Sequence, residues 1–158
     1  VNTRLVDTEQ ARMMAVRFIQ NQPLPFAMRV TKDSKRSIEQ NRLQFLWVKE
    51  ASEQLQDHTP EQYRAYCKLH YGVPILRNDD DQFRTLYDEM IRPLSYENKL
   101  KLMSPPIDLP ITSQMTVKQL TQYLNEVHAH FSSLGVVLTD PEDRKWRTFL
   151  ETNRKEVA

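Results

Sequence analysis

The sequence predicts an α+β fold: a single helix-rich domain of about five to six helices with a small β-sheet. Three observations carry this. Only two glycines occur in 158 residues, Gly72 and Gly135, and sheet-rich folds need more left-handed turn positions than that. Long stretches repeat apolar residues at helical spacing. Short segments near residues 2–6, 26–31 and 136–138 read instead as strands, most clearly Phe26-Ala27-Met28-Arg29-Val30-Thr31 with its period of two.

The helices follow in order. Asp7 with Gln10 makes a capping signal, and Ala11, Met14, Ala15, Phe18 and Ile19 keep the i, i+3, i+4, i+7 pattern. Pro23 and Pro25 end that helix. Ser37 with Gln40 reads as the cap of a second helix from Ile38 to about Leu55. Its run Phe45-Leu46-Trp47-Val48 covers nearly the whole circumference, so both sides are expected to be buried by the core or by a partner chain. Thr59-Pro60-Glu61-Gln62 opens a third helix, which Gly72 is expected to close. Asn78-Asp79-Asp80-Asp81 precedes a fourth carrying Phe83, Leu86, Tyr87, Met90 and Ile91. Ser95 caps a short one ending near Met103, and Pro105, Pro106 and Pro110 mark an irregular connector. Thr116 and Gln119 form a capping box before the stripe Val117, Leu120, Leu124, Val127, Phe131 and Leu134, closed by Gly135. Asp140-Pro141 starts a last basic and aromatic helix over 140–158.

Composition limits the function classes. The apolar share is 39% and the charged share 27%, as in globular proteins. A net charge of +1 favours no partner by itself, so any nucleic-acid site must come from segregated charge. That segregation exists. Met28 to Glu50 holds six basic and three acidic residues, while Glu50 to Gln62 holds four acids and no Lys or Arg. Cys67 is alone, which rules out an intramolecular disulfide and fits a cytoplasmic setting. Neither a membrane-length apolar run nor a signal peptide is visible. The first residue is Val1 rather than Met, from which we expect residues to precede it.

The basic residues Arg29, Lys32, Lys35, Arg36, Arg42 and Lys49 are candidate phosphate contacts, with Lys35, Arg42 and Lys49 recurring every seven residues along one helix stripe. Gln40 and Asn41 carry amides suited to bases or sugars, although a glutamine at Gln40's position more often closes a capping box. Trp47 reads as a core or dimer residue because of its apolar neighbours. Trp146, flanked by Arg144, Lys145 and Arg147, has the aromatic-plus-cation mix that suits single strands, and packing against Phe149 and Leu150 explains it equally well. No metal-ligand spacing, nucleophile arrangement or glycine-rich phosphate loop is present, so neither a catalytic residue, a metal nor a cofactor is expected.

Ser37-x-x-Gln40-Asn41-Arg42 before an aromatic-rich helix resembles the lambda-type phage NinB (Orf) recombination proteins. The block Met115-Thr116-Val117-Lys118-Gln119-Leu120, the helix ending at Gly135 and Val136-Val137-Leu138-Thr139-Asp140-Pro141 resemble the same family's C-terminal half. The blocks agree in order and spacing over residues 25–150, less clearly over 56–112. The resemblance implies a non-enzymatic homodimer, encoded by a phage or prophage and acting in the bacterial cytoplasm. It would bind single-stranded DNA, contact the host single-strand-binding protein and assist annealing or recombinase loading. Two alternatives stand beside it: a metal-dependent nuclease acting on recombination intermediates, and a helical protein–protein adaptor.

Overall fold

A run of helices joined by short caps dominates the chain. The computed structural model describes residues 4–30 and 35–140, with backbone alone for 35–38. The helices are α1 (Glu9–Gln20), α2 (Lys35–Leu55), α3 (Pro60–Cys67), α4 (Val73–Asp79), α5 (Asp81–Met90), α6 (Tyr96–Met103) and α7 (Val117–Ser133). A π-helical turn over Lys68–Gly72 joins α3 to α4, and a short 3-10 turn spans Thr112–Gln114. Because backbone angles stay helical from Cys67 through Val73, residues 60–79 form one stretch with an internal widening. No strand occurs among the described residues, so the fold is helical there and the expected small sheet is absent.

The reasons differ from segment to segment. Residues 4–6 and 26–30 are irregular, and a two-residue alternation forms a strand only when a neighbour takes up its backbone groups. Residue 31 and the expected helix over 140–158, beyond Asp140, lie outside the described residues. At 136–138 the backbone does find a partner, but it is a side chain. The Gln54 amide donates to the Val137 carbonyl at 2.8 Å and accepts from its N–H at 2.9 Å, filling the place of an adjacent strand.

The chain divides into two compact units, residues 1–39 with 139–158, and residues 40–138. In the first, Thr8 rather than Asp7 caps α1, its hydroxyl accepting from the Ala11 N–H. None of α1's residues is buried, so the predicted apolar stripe of Ala11, Met14, Ala15, Phe18 and Ile19 packs no core within the described residues. The Arg4 guanidinium lies 3.8 Å from the centre of the Phe18 ring.

The second unit holds the core. Here α2 and α7 run parallel, joined at seven-residue steps on α2. Gln40 Nε2 donates to Thr121 Oγ1 at 2.7 Å, the Trp47 ring meets His128 edge-on at 5.2 Å, and Gln54 holds Val137. This spacing keeps one face of each helix toward the other. Leu43, Gln44, Trp47, Val48 and Ala51 are buried on α2, against Leu120, Tyr123, Leu124, Val127 and Phe131 on α7. Tyr63 of α3 packs edge-on against Phe131 at 5.3 Å. A second cluster gathers Ala65, Leu69, Val73, Leu76, Tyr87, Met103 and Ile111.

Local capping chemistry sets most boundaries. Both capping boxes form, Thr59 with Gln62 and Thr116 with Gln119. Asp80 caps α5 and Ser95 caps α6. At the end of α7, Gly135 takes φ +82°. Val136 N–H reaches the Phe131 carbonyl and Gly135 N–H that of Ser132, the reciprocal pair that glycine permits after a helix.

Two boundaries differ from expectation. The second helix opens at Lys35, so Ser37 lies inside it and Gln40 turns its amide toward Thr121 instead of closing a box. Gly72 does not stop its helix. It has φ −75°, and a Cβ there would sit 2.6 Å from Ile111 Cγ2. The glycine is needed for close approach.

Candidate nucleic-acid interface

α2 is an uninterrupted 21-residue helix, so its surface is set by the 3.6-residue period. That period places Arg42 and Lys49 two turns apart, on the side opposite Leu43, Gln44, Trp47, Val48 and Ala51. Arg42 is half-buried and Lys49 exposed. The Lys49 ammonium lies 3.9 Å from Glu53, a long surface contact that holds it weakly. Asn41 is half-buried, and Gln40 lies on the α7 side, committed to Thr121.

The other expected contacts divide by location. Arg29 is exposed on the irregular segment of the first unit. Lys35 and Arg36 begin α2, where only the backbone is described. Lys32, Arg144, Lys145, Trp146 and Arg147 lie outside the described residues. Of the expected residues on α2, Arg42 and Lys49 share one face, while Asn41 lies a quarter-turn away from them. Trp47 is buried to 4% exposure, which assigns it to the core. Phe45 is 55% exposed, with Arg64 over its ring, so the four-residue apolar run is not buried on all sides.

The three adjacent aspartates serve three separate ends. Asp79 accepts from Gln119 and Asn78, Asp80 caps α5, and Asp81 pairs with Arg84. Among the described residues no group of three or more His, Cys, Asp or Glu gathers as metal ligands would. No described helix is long and apolar enough to cross a membrane.

Sequence reasoning missed two constellations around the π-turn. In the first, Lys68 is 1% exposed and donates to Asp108 Oδ1 at 2.7 Å and to the Met103 carbonyl at 3.0 Å. Arg64 donates to the same Asp108 oxygen at 2.7 Å. Burial lowers the Lys68 ammonium below its ordinary range, with Arg64 adding to this and Asp108 opposing it. Burial alone would raise Asp108, but hydrogen bonds from Lys68 and Arg64 outweigh it and hold the carboxyl low.

The second is a cluster of rings. Tyr66 stacks on His130 at 5.1 Å and lies 4.2 Å from His70. Tyr71 is 5.4 Å from His130. His70 Nε2 and the Tyr96 hydroxyl share a hydrogen bond at 2.8 Å. The only local signal for either group was the lysine, histidine and tyrosines of Tyr66-Cys67-Lys68-Leu69-His70-Tyr71, which fits an ordinary helix equally well.

Burial lowers both His70 and His130 below the ordinary imidazole value, and at His70 the charge of His130 adds to this. Both are therefore neutral in the folded protein near neutral pH. Below the ordinary value of 6.5 the unfolded chain takes up protons first, so stability is lost as pH falls from 6.5 toward the folded values. Thermal melts from about pH 7.5 to about pH 5 should show this loss. A double His70→Gln, His130→Gln variant should show a flatter dependence over the same window, and an unchanged one would place the protonation elsewhere.

Comparison with protein-family profiles, curated proteins and solved structures finds no match to this chain.

Proposed function

We propose that this protein binds single-stranded DNA as a recombination mediator of the lambda-type NinB kind. One observation supports the reading above others. The α2 helix is pinned along one side into the core, leaving Arg42 and Lys49 on the other as a rigid cationic edge. A strand's phosphates would bind such an edge with release of counterions. The Gln40-Asn41-Arg42 block and the Met115–Leu120 block supply the family likeness. In that reading Arg29, Lys32, Lys35, Arg36, Arg144, Lys145, Trp146 and Arg147 are further contacts to the strand. The protein acts as a homodimer in the bacterial cytoplasm, beside the host single-strand-binding protein, and needs no cofactor.

The test is anisotropy of a labelled single-stranded oligonucleotide over a range of salt. A double Arg42→Ala, Lys49→Ala variant should bind more weakly, with a log–log salt slope shallower by about 1.4, the value for two lost phosphate contacts on a single strand. An unchanged slope in a folded variant would remove α2 from the interface.

A further inference from the structure

We infer that the ring cluster at the π-turn is a stacking site for an unpaired nucleobase, with Tyr96 and His70 as its open face. The inference rests on the single-strand reading above and places base contact away from the α2 edge.

Five polar aromatic side chains converge there from four elements: Tyr66 from α3, His70 and Tyr71 from the π-turn, Tyr96 from α6 and His130 from α7. A π-turn is a costly interruption of a helix and recurs at functional sites. This one sets His70 and Tyr71 within the cluster. The inner rings Tyr66, Tyr71 and His130 are half-buried, with Tyr66 stacked on His130, whereas His70 is exposed and Tyr96 is 52% exposed. A ring needed only for packing would be covered. Tyr96 is instead held by its hydroxyl, through the bond to His70, while half its surface stays open.

The chemistry fits a planar, hydrogen-bonding ligand. Every base offers a π face for an aromatic ring, which makes stacking tolerant of sequence. Tyrosine has few rotatable bonds, and the hydrogen bond at 2.8 Å further fixes this one in advance. Lys99, three residues along α6, lies on the same face of that helix as Tyr96. Aromatic faces with an adjacent cation are the combination that follows a single strand.

The experiment compares a homopolymeric thymidine oligonucleotide with an abasic one of equal length, using wild type and Tyr96→Leu. Wild type should prefer the base-bearing strand. Tyr96→Leu should weaken that binding by roughly 5- to 150-fold, the range for one lost stacking contact, and leave abasic binding unchanged. Tyr96→Phe should retain the preference, and His70→Gln should reduce it. Photocrosslinking of a 5-iodouracil strand should label Tyr96 or His70. Equal wild-type binding to both strands, or equal losses on both in Tyr96→Leu, would overturn the stacking site and leave single-strand binding through phosphates intact. Failure of wild type to bind either strand would overturn the single-strand reading itself, and the stacking site with it.

Discussion

Trp47→Ala should destabilise the protein by about 3–5 kcal/mol, the cost of emptying a buried tryptophan site. The ring is 4% exposed and lies edge-on to His128, between α2 and α7. Leu43, Val48 and Ala51 on the same face of α2 and Val127 on α7 are buried too, and Gln40 ties α2 to Thr121 of α7. Collapse into the hole would have to shift one helix against the other, so little of the cost is recovered. Phe45→Ala, two residues away at 55% exposure, should change stability far less. Denaturant unfolding of both variants checks this, and equal losses would move the packing seam of α2 to its other side.

Asp108→Asn should cost about 3 kcal/mol, because it leaves the Lys68 ammonium buried without its counter-charge. The figure is the low end for a broken buried pair. The Asp108 side chain is 38% exposed, so solvent screens part of the penalty. Asparagine is the informative replacement because residue 108 has φ +47°, a conformation that it tolerates. Lys68→Met alone removes the buried charge, and Lys68→Met with Asp108→Asn should be less unstable than Asp108→Asn alone. If the two changes were simply additive, Lys68 and Asp108 would not be acting as a pair.

The same residues mark how far the sequence could be read. Caps were legible at Thr59 with Gln62, Ser95, Thr116 with Gln119, and Gly135, which all act within four residues of themselves, whereas at α1 the signal was assigned to Asp7 and the cap is its neighbour Thr8. Gly72 was misread because its constraint comes from Ile111, 39 positions away in sequence and 2.6 Å from where a Cβ would stand. Lys68 was overlooked for the same reason, since Met103 and Asp108 reach it only in the folded chain. The strand expected at 136–138 failed on pairing rather than propensity, because the Gln54 amide takes both backbone groups of Val137. Gln40 was misread likewise: the helix already runs from Lys35, and the Gln40 amide bonds Thr121, 81 positions away.

The candidate site divides along the same line. The charge of α2 was visible in composition, and the seven-residue recurrence placed Arg42 and Lys49 on one stripe. Its opposite, buried side was not fully foreseen: Phe45 stays exposed where the apolar run predicted cover, and Gln44 is buried at 1% exposure. The ring cluster had no sequence pattern, because its members come from four elements and the π-turn that gathers them has no code of its own.

The most direct test of single-strand binding is the wild-type affinity for single-stranded and blunt duplex oligonucleotides of equal length, measured at several salt concentrations. The account predicts tighter binding to the single strand, with log affinity falling linearly as log salt rises. Equal affinity for the two forms, or affinity that does not respond to salt, would contradict it.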